Sequence, residues 1–158
     1  MLTDTLWKKM LIGAIVCLAL GSASGLSTVS EINSWFTTIN KPTWNPPNWI
    51  FGPMWTTLYI LMGAAFGRIW HLEDSKAKKT AMIFFVVQFV LNLTWTPVFF
   101  GLHQISLALG IILLMLTLIV ITLRQFMRLD KIAGAMLIPY MLWVAFASFL
   151  NYTIMTLN

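Results

Sequence analysis

The chain has 158 residues, of which 59% are apolar and only 9% are charged, and its mean hydropathy is +0.82. Soluble domains contain about 45–50% apolar and about 25% charged residues, so this composition excludes a disordered chain and leaves too little charge to cover a soluble core. The single cysteine, Cys17, excludes an intrachain disulfide and a cysteine-based metal site. The composition is that of an integral membrane protein.

Four stretches of the chain carry no charge: residues 10–30, 42–67, 80–123 and 132–158. A helix needs about 20 apolar residues to cross a bilayer, so three of these stretches hold one span each. The third stretch is long enough for two spans, with a break at Gly-Leu-His-Gln, residues 101–104. We predict one all-α domain over residues 1–158, an integral membrane bundle with five transmembrane helices near 8–29, 47–70, 80–101, 105–127 and 132–155.

The first predicted span begins after a Lys-Lys pair and ends in a small-residue stretch, as a cleaved signal peptide does. Cleavage would leave only four spans and no recognisable mature start, so we expect this span to be retained. Gly21 and Gly25 are four residues apart, a spacing that is typical of close helix packing in membranes.

The basic residues predict the orientation of the bundle. With five spans, nine of the ten Lys and Arg residues fall on the side of the N-terminus, and only Lys41 falls on the other. The positive-inside rule then places the N-terminus in the cytoplasm and the C-terminus outside. This topological role also explains the basic charge without nucleic acid, which we do not expect as a partner, and the surrounding lipid bilayer is the expected environment.

The connection over residues 31–53 does not fit a simple loop. Its four prolines, at 42, 46, 47 and 53, disfavour a continuous helix until the last one is passed. It also carries more aromatic surface than a solvated loop requires, in Trp35, Phe36, Trp44 and Trp49. The segment is therefore either an interfacial aromatic belt or a structured lid over a cavity between the helices.

Polar residues inside the predicted spans are few. Gln88 and Asn92 share one face of the third span, and Asn151 lies late in the fifth. Intramembrane amides serve more often as helix–helix hydrogen-bonding groups than as ligand contacts. Pro97 and Pro139 are expected to bend their helices.

None of the five acidic residues lies inside a predicted span, which argues against a proton-driven exporter. The sequence also shows no grouping typical of a hydrolase. His71 and His103 fall on opposite sides of the membrane and cannot share a metal, so we predict no metal site.

Four segments together resemble the TspO/MBR family, the tryptophan-rich sensory proteins or translocator proteins, also known as peripheral-type benzodiazepine receptors. Residues 41–47 and 49–59, with the patterns KPxWxPP and WxxGPxWxxLY, are similar to the family's first loop and second helix. Residues 92–101 (NLTWTPVFFG) resemble its third helix, and residues 139–151 (PYMLWVAFASFLN) resemble its fifth.

This resemblance implies a five-helix bundle, often a homodimer, with a ligand pocket between the helices beneath the first loop. The implied ligands are porphyrins such as protoporphyrin IX and synthetic isoquinoline or benzodiazepine compounds, and no cofactor is required. Carried over by position, the ligand-binding residues would be Pro46, Trp55, Asn92, Trp95, Phe99, Trp143, Ala147 and Leu150, beneath a lid that contains Trp35, Phe36, Trp44 and Trp49.

Two departures from the family pattern bear on ligands. The cholesterol motif of eukaryotic members needs a Lys or Arg after Tyr152, and none follows, so cholesterol binding is not expected. Some bacterial members have Tyr where this chain has Phe36, which removes one ligand hydrogen bond.

Three functions stay open at this point. The first is a receptor or sensor that binds a porphyrin and regulates tetrapyrrole handling or transport. The second is a light- and oxygen-dependent degradation of bound porphyrin, with Trp55 and Trp143 as oxidisable side chains in place of ordinary catalytic residues. The third is a passive structural membrane protein. A bacterial inner membrane is the simplest location.

Overall fold

The computed structural model describes residues 2–158, so of the predicted domain only Met1 lies outside the described residues. Eight α-helices and one π-helical turn follow one another along this part of the chain. They are α1 (Leu2–Leu26), α2 (Val29–Asn33), α3 (Trp35–Thr38), α4 (Asn48–His71), α5 (Lys76–Thr96), the π-helical turn Pro97–Gly101, α6 (Ile105–Leu129), α7 (Lys131–Met136) and α8 (Ile138–Leu157).

The prediction of an all-α membrane bundle is confirmed. Five helical stretches are long and apolar enough to cross a bilayer: Asp4–Leu26, Asn48–His71, Lys76–Gly101, Ile105–Leu129 and Lys131–Leu157. The first span ends at Leu26 rather than near residue 29, because the chain turns where the N–H of Thr28 bonds to the carbonyl of Gly25. The predicted break between the third and fourth spans is confirmed, with the residues 102–104 between Gly101 and Ile105.

Three prolines shape the long helices in different ways. The second span begins at Asn48, close to the predicted residue 47, but the expectation that a continuous helix starts only after Pro53 is wrong, because α4 contains this proline. Pro53 has no N–H group, so it cannot donate the helical hydrogen bond to the carbonyl of Trp49. That carbonyl lies in the exposed first turn of the helix, where the loss of this bond is tolerated. Pro97 begins the π-helical turn, and Pro139 follows the break at Leu137 that separates α7 from α8.

The first and second spans cross at a backbone-to-backbone contact between glycines. A side chain on Gly13 would collide with the carbonyl of Gly63, and a side chain on Gly67 would collide with the backbone of Lys9. Glycine is required here because nothing larger than hydrogen fits between the two backbones. Of the predicted small-residue pair, Gly21 packs against the ring of Tyr59, whereas Gly25 has open space around it, so the prediction of close packing at Gly25 is wrong.

Most of the basic residues lie at one end of the bundle, which we call the basic end. There Arg68, in α4, forms an ion pair of 2.8 Å with Asp130, which also caps α7 by accepting the backbone N–H groups of Ile132 and Ala133. Partial burial alone would raise the pKa of Asp130, but these hydrogen bonds and the charge of Arg68 outweigh burial and lower it. Asp130 is the single residue between α6 and α7, and in its charged form it therefore links this junction to α4.

Residues 27–47, which we call the lid loop, close the opposite end, the lid end. The lid loop contains α2 and α3 and then runs without regular structure to the start of α4. Phe36 is only 3% exposed and packs into a small core with Phe99 and Leu150, beneath the lid loop. A larger core around Phe85, Phe126 and Tyr140 fills the rest of the bundle.

Candidate functional site

A cavity of about 380 Å³ lies between the helices beneath the lid loop. Its walls come from α1, α4, α5 and α8, and its roof comes from α2 and α3. The aromatic side chains that line it are Phe36, Phe51, Trp55, Tyr59, Trp95, Phe99, Phe100 and Trp143.

The aromatic walls are held by ring-to-ring contacts. The ring centroids of Trp95 and Phe99, one turn apart at the end of the third span, are 5.1 Å apart and nearly parallel. Trp55 stacks in the same way on Tyr59, at 5.5 Å. Such pairs stabilise each other by about 0.5–1.5 kcal/mol beyond their buried area, which favours these ring orientations in the walls.

One face of α8 supplies the remaining wall. Trp143, Ala147 and Leu150 follow one another at helical spacing, and all three line the cavity. Ala147, which is 8% exposed, leaves a shallow place between two larger side chains. The edge of Phe51 contacts Trp143, with a centroid distance of 6.0 Å, and joins this wall to α4.

Behind the cavity, four polar side chains form a buried chain of hydrogen bonds across three spans. The hydroxyl of Tyr59 donates to Asn92 Oδ1 at 2.8 Å, and Asn92 Nδ2 donates to the hydroxyl of Tyr140 at 3.1 Å. Tyr140 in turn donates to Gln88 Oε1 at 2.7 Å. Because such groups have no water partner inside a bilayer, these bonds fix how α4, α5 and α8 are rotated against one another.

A second polar link lies at the cavity wall itself. Trp95 Nε1 donates to Asn151 Oδ1 at 3.1 Å, and Asn151 Nδ2 donates to the backbone carbonyl of Ile105 at 3.0 Å. Asn151 thereby orients the indole of Trp95 and ties α8 to the start of α6. The indole nitrogen of Trp143 is different, since it is buried and has no hydrogen-bond partner among the described residues.

The lid loop is attached to the bundle on two sides. On one side, Trp35 stacks on the imidazole of His103 at 4.2 Å, and His103 Nε2 lies 2.9 Å from Glu31 Oε2. On the other side, the backbone N–H of Asn40 donates to Asn158 Oδ1, and Asn158 Nδ2 donates to the carbonyl of Asn40, both at 2.9 Å. These contacts hold α2 and α3 over the cavity.

The chemistry of the cavity suits binding better than acid–base reactions. Among the described residues that line it, none carries a charge, and the polar contribution comes from hydroxyls, amides and indoles. Planar aromatic walls with a few neutral hydrogen-bonding groups match a flat, largely apolar molecule.

The profile of the TspO/MBR family matches residues 13–157, which include every helix that lines the cavity. The chain belongs to the TspO/MBR family. It is 40% identical over 144 residues to the tryptophan-rich protein TspO of Chlorobaculum tepidum, and the aligned region covers 90% of this chain and 91% of that protein. It is 37% identical over 140 residues to the tryptophan-rich sensory protein of Cereibacter sphaeroides, with 89% and 87% covered. With the human translocator protein it shares 34% identity over 122 residues, with 76% and 72% covered.

The structure brings most of the residues that the TspO/MBR resemblance singled out around one cavity. Those that line it are Trp55, Trp95, Phe99, Trp143, Ala147 and Leu150, together with Phe36 from the lid loop. That these residues contact a ligand stays a prediction.

Two predicted ligand contacts do not line the cavity. Asn92 lies one layer deeper, because both ends of its amide are bonded to the hydroxyls of Tyr59 and Tyr140. Pro46 lies in the extended part of the lid loop, where its carbonyl accepts a hydrogen bond from Asn45. Neither residue borders the cavity, so a direct ligand contact from either is not supported by its position.

The four predicted lid residues differ in position. Phe36 faces the cavity, and Trp35 stacks on His103 beside it. Trp44 stacks on Phe149 at 5.3 Å, on the outside of α8. Trp49 is 73% exposed in the first turn of α4, so it covers nothing within the described chain and the prediction of a lid role for it is wrong.

Several lining residues were not predicted from the sequence, chiefly Phe51, Tyr59, Phe100 and Asn151. The helical spacing offered a signal for three of them, since Phe51 precedes Trp55 by four residues, Tyr59 follows Trp55 by four and Asn151 follows Ala147 by four.

Proposed function

We propose that this TspO/MBR protein is a membrane receptor that binds a porphyrin, such as protoporphyrin IX, in the cavity beneath the lid loop. It then acts as a sensor that regulates tetrapyrrole handling or transport. Synthetic isoquinoline and benzodiazepine compounds would compete for the same place. Two relatives are a tryptophan-rich sensory protein and a translocator protein, and their names support this class of function.

The observation that carries the proposal is the convergence of planar side chains on one cavity. Trp55, Trp95 and Trp143 come from three different spans and line the same space. A volume of about 380 Å³ lies within the range of about 300–1,000 Å³ that is usual for small-molecule sites. Flat aromatic walls favour a flat aromatic ligand through offset stacking.

The substitution Ala147→Leu tests this proposal, because it fills the shallow place between Trp143 and Leu150 while helix propensity hardly changes. Overpacking costs about 1–3 kcal/mol, so the affinity for protoporphyrin IX should fall roughly 5- to 150-fold. Affinity is measured from the quenching of tryptophan fluorescence in the purified, folded protein.

The matched control is Ala145→Leu, two residues away on an exposed face of the same helix, which should bind with the wild-type affinity. If Ala147→Leu binds as tightly as Ala145→Leu, the ligand does not occupy this cavity. If the wild-type protein does not bind protoporphyrin IX at all, the proposed function is wrong.

The second function, a light-dependent degradation of the porphyrin, is favoured by one observation: both Trp55 and Trp143 line the cavity. It is separated from binding by following porphyrin absorbance in light and in darkness, with Trp143→Phe beside the wild type. A receptor leaves the pigment to bleach as it does without protein, whereas degradation requires faster bleaching that depends on Trp143.

The remaining features implied by the sequence are part of the same proposal. We propose a multi-pass protein of a bacterial inner membrane with the basic end in the cytoplasm and the lid end outside. A homodimer and the absence of a cholesterol site stay predictions.

A further inference from the structure

The cavity has an open side, and the exposure of its lining residues shows where that side is. The lining residues of α5 and α8 are buried or half-buried, without exception. The exposed ones all belong to α1, to the first residue of α2 and to α4: Ser22, Leu26, Val29, Asn48, Gly52 and Thr56. The cavity therefore opens between the first and second spans.

The two spans that flank this opening are in contact from the basic end as far as Gly21 and Tyr59. The backbones meet most closely at Gly13 and Gly63, where no side chain fits, and Gly21 packs against the ring of Tyr59 further towards the lid end.

Beyond this contact the spans are apart. A side chain on Gly25 or Gly52 would meet no neighbouring segment within 4 Å. With a rise of about 1.5 Å per residue, both glycines lie about 16–18 Å from the crossing of Gly13 and Gly63.

The opening begins where the second span begins, so we expect it to lie at the depth of the lipid headgroups and the upper acyl chains. Asn48 is the first residue of α4, and Gly52 follows one turn later, about 6 Å deeper. Thr56 adds little polar surface, because its hydroxyl is bonded to the carbonyl of Gly52 at 2.8 Å. An apolar molecule with a polar edge would therefore contact apolar walls inside the cavity, and its polar edge would lie near the amide of Asn48 at the outer margin.

The aqueous side of the cavity is covered instead. Phe36 is buried beneath the lid loop, and the ammonium of Lys41 lies 4.8 Å from the centre of its ring and donates to the carbonyls of Phe36 and Ile39. A ligand that arrived from water would have to break these contacts and those of the lid loop with His103 and Asn158.

We propose that ligands enter the cavity sideways from the lipid, through the gap between α1 and α4 bounded by Ser22, Gly25, Gly52 and Thr56. The leaflet concerned is the one on the lid side, and the ligand class is a flat apolar ring system with a polar or carboxylate edge. This inference rests on the proposed porphyrin-binding function and adds the route by which the ligand arrives.

Narrowing the gap tests the route. Gly52→Leu places a branched side chain in the opening from α4, and Gly25→Leu does so from α1, where both have free space. The protein is reconstituted in phosphatidylcholine vesicles, and the binding and release of protoporphyrin IX are followed by stopped-flow tryptophan fluorescence. We expect association and dissociation to slow together, roughly tenfold, because a narrower passage raises the barrier in both directions and changes the affinity little.

Gly110→Leu is the matched control. Gly110 is also exposed and has open space around it, but it lies in α6, away from the cavity. This variant should show wild-type rates. Equal rates in all variants, or equal slowing in Gly110→Leu, would overturn the lateral route.

Two further outcomes are also decisive. Faster dissociation with unchanged association would also overturn the route, since the leucine would then occupy the ligand site and not its access. A wild-type protein that binds no porphyrin would instead overturn the proposed function, so the two failures are distinguishable.

Discussion

Replacing the buried hydroxyl of Tyr140 should destabilise the bundle more than replacing that of Tyr59. Tyr140 makes two hydrogen bonds to the amides of α5, accepting from Asn92 and donating to Gln88, whereas Tyr59 makes only one, to Asn92. In Tyr140→Phe two buried polar atoms lose their partner, and in Tyr59→Phe only one does. The ratio of the two effects therefore follows directly from the geometry.

The size of the effect can be worked from these bonds. Side-chain hydrogen bonds between transmembrane helices contribute about 0.6 kcal/mol on average and up to about 1.7 kcal/mol. Tyr140→Phe should then lower the free energy of unfolding by about 1–3 kcal/mol, and Tyr59→Phe by about 0.6–1.7 kcal/mol. Neither substitution removes ring volume, so the aromatic packing is retained.

The measurement is the free energy of unfolding in mixed micelles, from a titration with a denaturing detergent followed by circular dichroism. Tyr152, the third tyrosine of the chain, is half exposed on α8 and is the matched control, since Tyr152→Phe should change stability very little. If Tyr140→Phe costs no more than Tyr59→Phe, the hydrogen-bond chain does not determine how α5 and α8 pack together.

Two more predictions concern the orientation of the bundle and the ion pair at its basic end. In a background without Cys17, Glu73→Cys should be labelled by an impermeant thiol reagent only from the cytoplasm, and Thr43→Cys only from outside; labelling of Glu73→Cys in intact cells would reverse the orientation. The pKa of Asp130 is lowered in the folded state, so its stabilising effect is present at neutral pH and is lost as the pH falls from the carboxyl's ordinary range through the lowered pKa. The free energy of unfolding should then drop less between pH 7 and pH 3 in Asp130→Asn than in the wild type, and identical drops would show that this ion pair does not contribute.

The spans could be predicted from the sequence because a bilayer rejects charge. The uncharged stretches located all five, and the boundaries that were misplaced by three or four residues are the two ends of the first span, Asp4 and Leu26, and the start of the third, Lys76. Both misplaced starts lie beyond lysines, because a helix extends past the charged residues that end its apolar stretch. The resemblance to the TspO/MBR family implied a pocket lined by Trp55, Trp95 and Trp143, and the structure brings these three side chains around one cavity.

The inward face of each span could not be predicted in the same way. In water, the apolar face of a helix is the buried one, but in lipid both faces are apolar, and periodicity loses its meaning. Gly13 and Gly63 look like any other small residues until the two backbones are seen in contact. Asn92 was assigned to the ligand by its position in the TspO/MBR pattern, whereas its residue type favoured a helix–helix hydrogen bond. The sequence does not say that Tyr59 and Tyr140 are its partners.

The hydrogen bonds of α5 also bear on the order in which the protein is assembled during synthesis. Tyr59 is made before Asn92, but Tyr140 follows Gln88 by 52 residues. At about 5–20 residues per second, a ribosome needs roughly 3–10 seconds to make that length of chain. Through this interval α5 is in the translocation machinery or the membrane without the native partner of Gln88, and an amide in lipid without a partner costs free energy. The native hydrogen bond of Gln88 can therefore form only after the start of the last span has been made.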